Sequence, residues 1–133
     1  MQRDPPWKKL AAELAAHGVE SRYLHRVQAR AGARQGLESL EMEITGEIAR
    51  GLGRTEEQLH LALAELELRG AKLARLRAAA VIGPELHAAI AGFNEQRSVA
   101  QKRLVELVIH REAAGFRRNQ AVYELYPIPP PER

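Results

Sequence analysis

Between Leu37 and Ala80, apolar residues return at every third, fourth or seventh position. Leu37, Leu40, Ile44, Ile48, Leu52, Leu59, Leu63 (or Ala62), Leu66 and Leu73, with Thr55 in register, fall on one side of a helix. That is the spacing by which a helix buries a single stripe. The opposite side carries Glu38, Glu41, Glu43, Glu47, Glu57 and Glu65. Gly46, Gly51 and Gly53 interrupt the pattern. Each costs a helix interior about 0.8–1 kcal/mol relative to alanine. The cluster therefore predicts a kink or break near 51–55, or a neighbouring helix too close for a Cβ.

A second long helix is predicted over 84–115. Pro84 suits its first turn, Leu86, Ile90, Phe93, Ala100, Leu104, Leu107 and Val108 mark its apolar face, and Gly115 marks its end. The break Val81-Ile82-Gly83-Pro84 is short, so the two long helices should be antiparallel neighbours. A short helix over 4–17 starts from Asp4-Pro5-Pro6, buries Trp7, Leu10, Ala11 and Leu14, and stops at Gly18. Asn119 is placed to cap a last short helix over 119–126, and residues 127–133 are an extended proline-rich tail. No stretch alternates apolar and polar over strand length. The expectation is a single all-α domain, an antiparallel long helical hairpin with short flanking helices.

Two helices with one stripe each cannot enclose a core, so the pattern predicts a homodimer completing a four-helix bundle. Its interface would use Leu37, Leu40, Ile44, Ile48, Leu52, Leu59 and Leu66. Tyr126 and Ile128 give the tail two apolar anchors for a groove on this protein or on a partner. The implied function is that of a non-enzymatic scaffold, adaptor or regulatory protein.

Charge adds a second reading. The net charge is only +3, but it is laid out in blocks. Arg22, Arg26, Arg30 and Arg34 recur every four residues across the arginine-rich segment 21–36, which contains no acid; Lys72, Arg75 and Arg77 form another basic stretch. The first block is a solvated helix face or a loosely ordered linker, fading at Gly32 and Gly36. Alternatively it meets phosphates or an acidic surface, including the glutamates of a neighbouring subunit. Sequence-tolerant nucleic-acid binding through 22–34 and 72–77 is thus the alternative function.

Candidate chemistry changes little. Gly53 could be the turn of a DNA-binding elbow, with Thr55-Glu56-Glu57-Gln58 as a capping box. Two glutamates at the entry of a reading helix would, however, be repelled by phosphates. Glu57-x-x-His60 has the spacing found in di-iron bundles, and Glu106 and His110 lie one turn apart, but a di-iron site needs two properly spaced pairs. No phosphate-cradling loop or nucleophile motif is present, so neither catalysis, a metal nor a cofactor is expected. The absence of cysteine excludes disulfides, and no apolar run reaches membrane-spanning length. A cytoplasmic protein is the simplest expectation.

The segments Leu37-x-x-Leu40-Glu41-x-Glu43-Ile44, Leu52-Gly53-Arg54, Leu59-x-x-Ala62-Leu63 and Arg111-Glu112-Ala113-Ala114-Gly115-Phe116-Arg117 resemble a group of short, uncharacterised bacterial helical proteins. The resemblance covers about residues 37–118 and leaves the arginine segment unexplained. It implies a continuous or kinked helical arm and brings no activity with it.

Overall fold

The computed structural model describes the backbone of residues 5–37 and 43–133, and the side chains of 5–29 and 50–133. All regular structure among them is helical: α1 Pro6–Ala16, α2 Arg22–Leu37, α3 Glu43–Ala78, α4 Pro84–Ala113 and α5 Gln120–Leu125.

Three of these helices end in the same way. At the end of α1, Gly18 N–H donates to Ala15 O and Val19 N–H to Leu14 O, both at 3.0 Å. At the end of α3, Ala80 N–H bonds Arg77 O (3.0 Å) and Val81 N–H bonds Leu76 O (2.9 Å). At the end of α4, Gly115 N–H bonds Glu112 O (3.0 Å) and Phe116 N–H bonds Arg111 O (2.9 Å). Each is a Schellman turn, which satisfies the last carbonyls and requires one left-handed residue. Gly18 (φ 70°) and Gly115 (φ 98°) supply it, and in α3 the position falls to Ala80 (φ 55°). Gly83 (φ 87°) then reverses the chain and Pro84 opens α4.

The chain does not break near 51–55. α3 runs 36 residues without interruption, about 54 Å at 1.5 Å per residue. The capping box expected at Thr55 does not form, because Thr55 lies mid-helix and its hydroxyl contacts Gly51 O at 3.0 Å. No crowding explains the glycines either. A Cβ on Gly53 would meet nothing within 4 Å, and one on Gly51 would touch only the Arg54 side chain at 4.0 Å. The glycine penalty is offset by tertiary burial along the rest of the helix, where Leu59, Leu63, Leu66, Leu68 and Leu73 are all buried.

α3 and α4 pack side by side. Arg69 meets Gly92, Ala62 meets Gln96, Gln58 meets Arg103 and Thr55 meets His110. One number falls as the other rises, so the two helices are antiparallel. On its other sides α3 is covered by α2, through Tyr23 and Leu24, and by α1, through Leu10 and Leu14. The arginine segment is therefore helical to Leu37, and its part up to residue 29 packs on α3. Its start is fixed by Ser21, whose Oγ accepts from Leu24 N–H (3.3 Å) and donates to Glu67 on α3 (3.0 Å). The core expected to need a second copy is closed here by α1 and α2. Two expected caps differ. Pro5 stands at the N-cap of α1, with Asp4 outside the described residues. Asn119 turns its side chain back, accepting from Arg111 (2.8 Å) and donating to Phe116 O (3.0 Å).

Candidate functional site

Beyond α5 the chain carries no helix or strand, yet it is held along its length. Tyr126 is buried and Ile128 packs against the core. The Arg97 guanidinium donates to Pro129 O at 2.6 Å. Asn94 clasps the main chain of Glu132 on both sides of its Cα, donating to Glu132 O (3.0 Å) and accepting from Glu132 N–H (2.8 Å). Arg77 donates to Arg133 O (2.7 Å) and pairs with the Glu132 carboxylate (3.3 Å). The segment thus runs from the middle of α3, at Glu56, to its far end, at Arg77. That span is about 31 Å of helix. Seven residues of extended proline-type chain reach about 22 Å, and long side chains bridge the remainder. A helical tail of the same residues would reach only about 10 Å.

The anchor of this strap is the Tyr126 hydroxyl. It lies 2.9 Å from His60 Nε2, 3.2 Å from Glu56 Oε1 and 3.3 Å from Arg26 Nη1. A phenol has one proton to donate and two lone pairs. The assignment that satisfies all three contacts has Arg26 and His60 Nε2–H donating to the oxygen and the phenol donating to Glu56. Around it the rings of Tyr23, His60 and Tyr126 cluster with centroids 5.3–6.3 Å apart. The Arg26 guanidinium lies 5.7 Å from the Tyr126 ring centre, within the range of a cation–π contact. Burial pushes the Tyr126 pKa up, the facing Glu56 carboxylate adds to this, and Arg26 opposes it. These causes favour the neutral phenol, the form that donates to Glu56.

The remaining polar contacts are likewise structural. Thr55 Oγ1 meets His110 Nδ1 at 2.6 Å across the α3–α4 seam, and Gln96, which is buried, donates to Ala62 O at 3.0 Å. Burial pushes the Glu67 pKa up, while the Ser21 hydrogen bond and Arg22 pull it down.

The expected site residues are distributed differently from the sequence expectation. Leu59 and Leu66 are buried in the chain's own core, and Leu52 is half-buried. The side chains of Leu37, Ile44 and Ile48, and all of Leu40, lie outside the described residues, as do the side chains of Arg30 and Arg34. Tyr126 and Ile128 dock on their own chain. Arg22 lies 5.0 Å over the Tyr23 ring and donates to its hydroxyl at 3.0 Å. Arg26 and Arg77 hold the strap, while Arg75 is exposed. Of the α2 arginines, Arg26 shares the Tyr126 hydroxyl with Glu56 of α3. His60 is turned to Tyr126 and His110 to Thr55, so the suspected Glu–His pairs do not converge. Among the described residues, no three His, Asp or Glu side chains gather as a metal site would require. No helix among them is long and apolar enough to cross a membrane.

Sequence reasoning missed His60, Asn94 and Arg97. A signal existed for the first. His60, Ala64 and Leu68 stand four apart, and all three are buried, a second stripe beside the leucine seam. Asn94 and Arg97 have no such signature. Comparison with family models, curated proteins and solved structures returned no match.

Proposed function

We propose that this protein is a non-enzymatic helical scaffold or adaptor acting through protein–protein contacts, and that it self-associates. The observation that carries this reading is the outer side of α4. Phe93, Ala100, Leu104, Leu107 and Val108 are buried against α3, yet Val99, Val105 and Ile109 face outwards on the same helix. Val105 and Ile109 are 48% and 55% exposed. A helix with apolar residues on two sides is suited to having two partners. The chain after it also leaves Phe116, Tyr123 and Leu125 exposed.

In this reading the α3–α4 hairpin is one half of a four-helix arrangement, and the second copy supplies the other. The contact lies on α4, because Leu59 and Leu66 are already covered. The test is sedimentation at micromolar concentration. The wild type should be a dimer, and Val105→Glu with Ile109→Glu should be a monomer of unchanged helicity. A monomeric wild type overturns the reading. Nucleic-acid binding is the weaker reading, because Arg26 and Arg77 are already engaged by the strap.

A further inference from the structure

We propose that the track across α3 and α4 is a recognition site for extended, proline-rich peptides with an aromatic anchor and an acidic residue near the far end. In this reading the chain's own segment 126–133 occupies it as an internal ligand. The occupant in trans is a partner segment of that same chemistry. This is separate from self-association through α4.

The contacts that hold the strap are the basis for this. The carbonyls of Pro129, Glu132 and Arg133 and the N–H of Glu132 are bonded by side chains of the helices. These are main-chain groups, so the track reads a backbone conformation more than a particular sequence. Polyproline chain presents those groups outwards with no internal hydrogen bonds, and its conformational entropy is low before binding. Specificity comes from the two ends. At one end a ring and its hydroxyl fit between Tyr23 and His60, and at the other Arg77 pairs with a carboxylate. Between them the bond of Arg97 to Pro129 is solvent-exposed, and those of Asn94 to Glu132 are half-buried. Exposed contacts of this kind contribute little individually, so another chain of the same form can replace the strap.

The probe is a fluorescently labelled peptide of the sequence Tyr126–Arg133, added to the full chain and followed by polarisation. In the wild type the strap competes at an effective concentration of order mM, so a trans affinity of about 10 μM is masked about a hundredfold. Tyr126→Ala weakens the strap but leaves the track intact. It should bind the peptide about tenfold more tightly than the wild type does, and regain thermal stability on binding. Adding Asn94→Ala should reduce that binding about tenfold, since both bonds to the Glu132 main chain are lost. A peptide with glycine at the three prolines 129–131 should bind more weakly. If Tyr126→Ala loses its cooperative melt, Ile128→Asp takes its place. Absence of peptide binding to a folded strap variant overturns the proposal, as does binding that ignores Asn94→Ala. A peptide-reversible dimer of the wild type would make a second copy the occupant and overturn it in this form.

Discussion

Replacing Tyr126 by phenylalanine removes one oxygen and leaves the ring in place, so it isolates the hydroxyl that anchors the strap. Three groups lose a partner, but they do not lose equally. Arg26 is partly exposed and the Glu56 side chain is about a third exposed, so water can replace the phenol at both. His60 is fully buried and loses its 2.9 Å contact at Nε2. Losing the hydrogen bond of a buried polar group costs about 1–3 kcal/mol, and about 2 kcal/mol is the expectation here, with the Glu56 carboxylate still 3.7 Å from the same nitrogen. With a urea slope of about 2 kcal/mol per molar, the midpoint followed by circular dichroism should fall by about 1 M. Tyr23→Phe is the control. The Tyr23 oxygen is bonded by the exposed Arg22, and its loss should cost less than about 0.5 kcal/mol. The pH dependence has a definite sign. The folded-state pKa of Tyr126 is raised above 10.0, chiefly by burial. The wild type's advantage is therefore full below pH 10 and is lost as pH rises through the folded-state value. Equal midpoints for the two variants, or an advantage that grows with alkaline pH, would refute the anchoring role.

Three further substitutions test other parts of the fold. Ala80→Gly should stabilise by about 1 kcal/mol, because an L side chain at φ 55° is strained and glycine is not; an unchanged thermal midpoint would count against the Schellman turn of α3. Gly53→Ala should stabilise by about 0.5–1 kcal/mol, since it lies in a helix with room for a Cβ; a lower midpoint would show that the helix needs a glycine there. Glu67→Gln keeps the acceptor for Ser21 and removes a carboxylate whose pKa is raised above 4.5, first by burial. Such a group favours the folded state below pH 4.5 and loses that contribution as pH rises through its folded value. The variant should therefore gain on the wild type at pH 7 and not at pH 4; the reverse order would mean that the attraction of Arg22 outweighs burial.

Legibility in the sequence followed the range of the forces involved. Helix period, proline starts and glycine stops are local, and α1, α4 and the turn at Gly83 stand close to where the pattern puts them. The break expected at Gly51 and Gly53 fails because a local penalty of about 2 kcal/mol competes with burial spread along the whole of α3. Arg26 shows the other limit. Its sequence neighbours describe a basic stripe, while its partner, Tyr126, lies one hundred residues away. The His60–Tyr126 and Glu56–Tyr126 bonds close over 66 and 70 residues, and no periodicity carries such information.

The same limit separates the two surfaces that the stripes leave open. The leucine seam of α3 demanded a cover, and a second copy and the chain's own α1 and α2 satisfy that demand equally well in sequence terms. Geometry decides it, with Leu59 at 0% and Leu66 at 3% exposure inside one chain. The apolar residues on the outer side of α4 raise the same demand again, and among the described residues Val105 and Ile109 stay exposed: α1 and α2 lie on α3, and the strap meets α4 at Asn94 and Arg97. A sequence can therefore state that a helix needs covering twice, but only the fold states which side has been left. That is why the interface proposed above is drawn at Val105 and Ile109 and not at Leu59 and Leu66, while the physical argument for an interface is the same one.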